Sequence, residues 1–150
     1  MAIWSLSTSD KNGQGNMNIC GYVINVSMEP RAMLLAIYHH TKTLENIKES
    51  KRALLQLLTT DHIDIIHTCG RQSGHSVNKL EKVATKHALA YHNGLAYMKD
   101  CAGFMELEIS DIREVGDDHI LAVADVVTSK NLKDTPILTN HYLKEHGITR

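Results

Sequence analysis

Apolar and polar positions along the chain change period several times, and the changes mark out its elements. Ala2 to Ser9 alternates loosely in a Ser- and Thr-rich setting and predicts a first strand. The turn signal Asp10-Lys11-Asn12-Gly13 closes it. Asn18 to Ser27, carrying Ile19, Tyr22, Val23, Ile24 and Val26, predicts a second strand, ended by Pro30. Met33 to Tyr38 is a short apolar run suited to a strand buried on both faces. The period then lengthens. Leu44, Ile47 and Leu54 fall at helical spacing while Lys48, Glu49, Lys51 and Arg52 face away. Thr41 or Thr43 can cap this helix, and Glu45 suits its first turn.

Ala53 to Thr59 is apolar and is expected to return to the sheet, and Asp61 can cap a short helix through Ile66. Val77 and Leu80, with Val83 or Ala84, mark a further helix after the Gly-containing stretch 70–76. In the second half, Tyr91-His92-Asn93-Gly94-Leu95 carries a hairpin signal. Met105, Leu107 and Ile109 alternate with Glu106, Glu108 and Ser110, which predicts a half-buried strand with its carboxylates in solvent. After the turn Gly116-Asp117-Asp118, Ile120 to Val127 completes a long antiparallel hairpin. The tail from Pro136 is short and polar, with Leu138, Tyr142 and Leu143 as docking points. The order is strands, helix, strand, helices, strands, without regular βαβ alternation. That excludes a doubly wound sheet and predicts a mainly β protein, an antiparallel barrel with peripheral helices.

Composition narrows the class. With 150 residues, 43% of them hydrophobic, the chain suits a single domain over 1–150 that buries its own core. The net charge of -1 argues against a binder of nucleic acid or of an anionic membrane. Cys20, Cys69 and Cys101 are scattered and form no Cys-x-x-Cys pair, which suits a reducing cytoplasm. No signal peptide is expected from the N-terminus, and no apolar run approaches the ~18 residues of a membrane span.

Three segments could carry chemistry. Thr41-Lys42-Thr43 places two hydroxyls and an ammonium where a strand feeds a helix, a position that favours an anion such as phosphate. Asn16 to Cys20 offers amide donors and acceptors to a flat polar ring, and Gly13 and Gly15 permit close backbone approach. Gly70 to Lys79 could form a lid, with Arg71, His75 or Lys79 reaching in, and it lacks P-loop spacing. Each also has a plain reading: an N-cap with a solvated lysine, a hairpin loop, and a surface loop capping a helix at Ser76.

The ten histidines read as surface or packing residues. The pairs 62/67, 87/92 and 141/146 are five apart, helical metal pairs prefer four, and His-Glu-x-x-His is absent, so no metal is expected. Nothing matches the Gly-x-Ser-x-Gly elbow of a hydrolase. Glu106 and Glu108 read as one solvated strand face rather than a glycosidase pair.

Taken in order, these pieces resemble the flavin reductase-like family, whose members bind FMN in a split β-barrel. Ser7-Thr8-Ser9 stands where the family ends a strand in hydroxyls beside the flavin, and Asn16 opens the next strand. Ser27-x-x-Pro30 matches a family corner, and Thr41-Lys42-Thr43 with Ile47 matches the phosphate-binding helix start. Gly70 to Lys79 matches a Gly-x-x-Ser-Gly-x-x-x-x-Lys stretch, and Met105-Glu106-Leu107 with Gly116-Asp117-Asp118-His119 matches its later strand and turn. Members often carry Thr where this chain has Ile19.

The resemblance implies a homodimer with FMN near the interface, reduced by NADH or NADPH. It implies phosphate contacts from Thr41, Lys42 and Thr43. Contacts to the ring and ribityl chain would come from Asn16, Met17, Asn18, Ile19 and Cys20, and hydrogen bonds near the reactive edge from Ser7, Thr8 and Ser9. His40 and Lys79 complete the implied cofactor set, and His40 and His75 are candidates for proton delivery. The implied activity is an NAD(P)H-dependent reductase of flavin or a small acceptor. Its alternatives are a flavoredoxin-like electron carrier serving a protein partner, an oxidase of the pyridoxamine-phosphate type, and a ligand-free structural barrel.

Overall fold

The structure, a computed structural model, describes residues 1–149. In chain order its elements are β1 (Trp4–Ser9), β2 (Gly15–Cys20), β3 (Val23–Met28), β4 (Arg31–Tyr38), α1 (Lys42–Ser50) and β5 (Arg52–Leu57). A 3-10 turn over Thr60–Ile65 runs into α2 (Ile66–Arg71), followed by α3 (Lys79–Ala84), β6 (Leu89–His92) and β7 (Leu95–Met98). Then come β8 (Gly103–Glu114), β9 (His119–Asn131) and α4 (Asn140–Glu145).

Seven strands form one sheet in the order β2-β1-β5-β8-β9-β4-β3, with every neighbouring pair antiparallel. The sheet coils until its β2 edge faces β4 without a shared ladder. There the Cys20 thiol reaches the Ala36 carbonyl at 3.9 Å, and Ala36 N–H donates to Tyr22 O at 3.1 Å. This is a split barrel. Its interior is filled by Leu6, Leu35, Leu55, Leu107, Ile120 and Ala122, all about 1% exposed or less. A second apolar cluster, with Met17, Leu58, Ile65, Cys69, Val83 and Leu143, fixes α2, α3 and α4 against the outside of the β1–β2 corner.

Several predicted elements are redrawn. The second predicted strand is two strands: β2 pairs with β1 and β3 with β4, so the chain must cross the split at Gly21-Tyr22. Leu54 belongs to β5, where it is buried, because Lys51 at φ 59 ends α1 and donates its N–H to Ile47 O. The helix near 61 begins after Thr59, not Asp61, and α3 is capped by Asn78, not Ser76.

The strand predicted to hold Glu106 in solvent instead buries it to 7% exposure. The β6–β7 hairpin packs over that face, and Glu106 accepts from His92 Nε2 at 2.8 Å, from Asn93 Nδ2 and from Arg52 Nη2. Burial alone would raise its pKa, but these donors outweigh it and hold the carboxyl below its usual range. The tail docks through two isolated β-bridges, Ala2 with Thr139 and Thr59 with Ile137. Ile3 N–H donates to Leu138 O and Leu138 N–H to Leu58 O, both at 2.9 Å, with Leu138 and Leu143 buried.

Two buried histidines tie the helical side to the sheet. Thr59 N–H donates to His62 Nδ1 at 3.0 Å, which fixes the His62 tautomer. His62 Nε2–H therefore donates to Asp100 Oδ1, at 3.0 Å. His87 places Nδ1 at 2.8 Å from Asp100 and Nε2 at 2.9 Å from Asp64, an arrangement that suits an imidazolium with two donors. The three groups lie close enough to hold a metal ion. The Thr59 amide favours a proton network instead, because metal at His62 Nε2 would require that proton to leave.

Burial opposes charge on His87, yet the two carboxylates raise its pKa above the usual 6.5. Burial likewise raises that of Asp100, but the two imidazoles lower it below the usual 3.8. A raised imidazole pKa gives stability that is complete below the unfolded value and lost as pH rises through the folded one. A lowered carboxyl pKa gives stability lost as pH falls. The network therefore stabilises most between the two unfolded values, in mildly acidic solution. The melting temperature is expected to fall between pH 6 and pH 9, and the fall should shrink in His87→Gln when both are followed by thermal denaturation. His62→Ala, which strands the buried Thr59 amide, should cost about 1–3 kcal/mol.

Candidate functional site

Tyr38 ends β4, the turn passes through His40 at φ 59, and Thr41 starts α1. The Thr41 hydroxyl accepts from Leu44 N–H at 3.2 Å and donates to the Tyr38 carbonyl at 2.9 Å, so strand and helix are locked at the step. The amides of the first turn and the positive end of a nine-residue helix point into the space beyond. Thr43, in that turn, accepts from Asn16 Nδ2 of β2 at 3.1 Å, and both residues are buried.

Two cavities of about 310 and 350 Å³ adjoin here, and Asn18, Tyr38, Thr43 and Gly70 line both. The first is walled by Asn16, His40, Thr41, Lys42, Arg71, Gly74 and Lys79. The second occupies the barrel split, between Ile19 and Cys20 of β2 and Ala36 and Ile37 of β4. Tyr22, Tyr38 and His119 also line it, with the Tyr38 and His119 rings 3.9 Å apart and Tyr22 edge-on to His119 at 5.7 Å.

The loop after α2 closes over the first cavity. A Cβ added at Gly74 would collide with Asn16 Oδ1 and press on Lys42 Cβ, so only glycine permits this approach. His75 Nε2 meets Glu45 Oε2 at 2.9 Å, and Lys42 Nζ meets Glu45 Oε1 at 2.7 Å. The bond to Glu45 raises the Lys42 pKa, and the bonds from Lys42 and then His75 lower that of Glu45. Arg71 donates to the Ile148 carbonyl at 3.0 Å, tying the C-terminal segment to the same wall. The Cys20 thiol is pushed up to about 12 by burial and is not ionised near neutral pH.

Of the residues singled out from sequence, Asn16, Asn18, Ile19, Cys20, His40, Thr41, Lys42, Thr43 and Lys79 line these cavities. Met17 points the other way, into the cluster under the helices. Ser7 and Thr8 are buried within the fold, where they accept from Gln56 Nε2 at 2.9 Å and Asn46 Nδ2 at 3.0 Å. Neither they nor Ser9 is among the lining residues of the two cavities. Sequence reasoning overlooked Tyr38 as a wall residue and treated His119 only as part of a turn motif. Their meeting depends on β4 pairing with β9, where Tyr38 stands opposite His119.

The open, split arrangement of the barrel agrees with the proteins this chain is similar to. The family model for the flavin reductase-like domain matches residues 3–144, and the chain belongs to that family. Among solved structures it is similar to flavoredoxin from Methanosarcina acetivorans, at 19% identity and TM-score 0.76, over 87% of this chain and 68% of that one. An FMN-binding protein from Thermus thermophilus with bound 1-cyclohex-2-enone gives 21% identity and TM-score 0.74, over 87% and 70%. The styrene monooxygenase flavin reductase of Pseudomonas putida S12 gives 16% and 0.72, over 87% and 80%. At these identities the likeness establishes the fold. Comparison with curated protein sequences gives no match.

Thr43→Val removes the acceptor of a buried amide and is expected to cost about 1–3 kcal/mol, while Thr43→Ser should cost little. Urea unfolding of the two variants beside the wild type checks this.

Proposed function

We propose that this chain binds FMN across the paired cavities and acts as an NAD(P)H-dependent reductase of flavin or of a small acceptor. One observation carries the reading: the α1 N-terminus, with Thr41, Lys42 and Thr43, opens into a cavity that adjoins a second one walled by aromatic rings. A phosphate suits the first end because helix amides, hydroxyls and an ammonium converge there. A flat ring suits the second, where Tyr38, His119 and the β2 backbone offer faces and edges.

Bound flavin would supply the two-electron chemistry, taking hydride from a nicotinamide and passing electrons on. The chain's own residues bind and orient. Thr41, Lys42 and Thr43 hold the phosphate, and Asn16 fixes the Thr43 hydroxyl. Asn18, Ile19 and Cys20 meet the ring and its ribityl chain, and Ser7 and Thr8 brace the sheet behind them through Gln56 and Asn46. Gly74 brings the loop against the phosphate end, and His75 ties it to Glu45 of α1.

A homodimer fits this reading. Tyr22, just before β3, and Ile24, Val26 and Met28 along it are each more than half exposed. Edge strand β3 borders the split that houses the second cavity. A second copy would cover these side chains and narrow the ring site. Three buried free thiols fit a cytoplasmic location, and no helix among the described residues is long and apolar enough to cross a membrane.

The absorbance spectrum with added FMN is expected to show a bound flavin that bleaches with NADH or NADPH. Bound flavin reduced only by dithionite would move the assignment to an electron carrier, and absence of binding would end it. Lys42→Ala with Thr43→Ala should weaken FMN by a few kcal/mol at most, the size of two or three charge-assisted hydrogen bonds. Riboflavin should be nearly unaffected, and equal loss for both ligands would place the phosphate elsewhere. Sedimentation should give a dimer, and Ile24→Lys with Val26→Lys a monomer.

A further inference from the structure

Lys79 is the most deeply buried cation near the site, with 3% of its surface exposed. It stands at the first turn of α3 and points back across the second apolar cluster toward β2. Its Nζ donates to Asn18 Oδ1 at 2.8 Å and to the Cys69 carbonyl, in the last turn of α2, at 3.0 Å. No carboxylate accepts from it among the described residues. This is unlike the buried carboxylate Glu106, which has three donors around it. Burying an ammonium without a counter-anion is costly, and here burial pushes its pKa down. A charge held at such cost at a cavity wall is accounted for if the cavity takes a ligand that is, or becomes, negative.

The contact with Asn18 has a second consequence. A lysine can only donate, so the atom of Asn18 that meets it must be the amide oxygen. The amide nitrogen is thereby left on the other side, and it makes no hydrogen bond to protein among the described residues. Asn18 lines both cavities, at the place where they join.

We propose that Lys79, which lines the first cavity and meets the second only through Asn18, is a positioning residue for the ring. It orients the Asn18 amide so that its NH₂ is offered to the ligand, and it places a positive charge that favours the reduced form of a bound flavin over the oxidised form. The inference rests on the flavin reading and adds to it the device that sets the flavin's electronics. Two-electron reduction with uptake of one proton adds one negative charge to the ring. A fixed cation near the ring therefore stabilises the reduced form more than the oxidised one. The low-dielectric wall strengthens the effect relative to an exposed lysine.

The test compares oxidised and dithionite-reduced FMN on the wild type, on Lys79→Met, which removes charge and hydrogen bond, and on Lys79→Gln, which can still donate to Asn18. Affinities come from fluorescence titration of the oxidised ligand and from the midpoint potential of the bound one. In Lys79→Met the ratio of reduced to oxidised affinity is expected to fall about tenfold, which for a two-electron couple is a drop of about 30 mV. In Lys79→Gln the potential should fall similarly while oxidised FMN keeps most of its affinity. In Asn18→Ala, oxidised FMN and riboflavin should weaken together, and adding Lys79→Met should weaken the oxidised form little further. An unchanged potential in both lysine variants overturns the proposal and leaves Lys79 a strut between α3, α2 and β2. Should Lys79→Met not fold, Lys79→Gln decides the question alone. A wild type that binds neither FMN nor riboflavin removes the flavin reading itself. Flavin binding with an unchanged potential removes only this inference.

Discussion

The barrel is not closed, and most of what is particular to this protein follows from that gap. Seven strands pair in an unbroken antiparallel order, but the β2 edge faces β4 without a ladder, bridged by a weak thiol contact from Cys20 and by the Ala36 N–H bond to Tyr22 O. Backbone groups on facing strands that do not pair must find other partners or meet solvent or a ligand. The second cavity lies in this opening, and the first adjoins it where β4 turns into α1.

Holding a gap open requires support from outside the ladder, and buried polar groups provide it. Asn16 reaches from β2 to Thr43 of α1, Asn46 from α1 to Thr8 of β1, and Gln56 from β5 to Ser7 of β1 and to the amide of Met98. Lys79 ties α3 to β2 and α2, while His62, His87 and Asp100 bind the helical side to the β7–β8 turn. Each bond has a modest net value, but loss of one partner strands the other in a low-dielectric interior. Ser7 and Thr8 of β1 accept from Gln56 and Asn46 within this scaffold and line neither cavity. The Thr and Lys of the α1 start stand at the cavity.

In the proposed reading, the same gap links binding to assembly. Strand β3 leaves the split at one edge and carries its exposed apolar side chains away from the core. A second copy seated there would lie beside the Tyr22, Tyr38 and His119 wall, so that flavin access and dimer contact share one region of the surface.

The sequence by itself determined the local and periodic features. Alternation gave the long β8–β9 hairpin, Asn93-Gly94 the β6–β7 turn, and Thr41-Lys42-Thr43 the helix start, because each depends on neighbours within a few residues. The motif order also pointed to the family that the comparison establishes. Tertiary structure decided whatever depends on residues far apart in the chain. Glu106 follows the alternation of its strand, yet a hairpin packs over it and turns a solvated carboxylate into a buried one. Leu54 keeps helical spacing with Ile47, yet Lys51 in the left-handed region ends the helix before it. His62 and His87 showed no ligand spacing because folding, not their separation in the chain, brings their rings together and both to Asp100, and Tyr38 meets His119 only through the register of β4 with β9. Periodicity reports which face of an element is apolar. What covers that face, and which polar groups are brought together there, is set by long-range pairing that no local window contains.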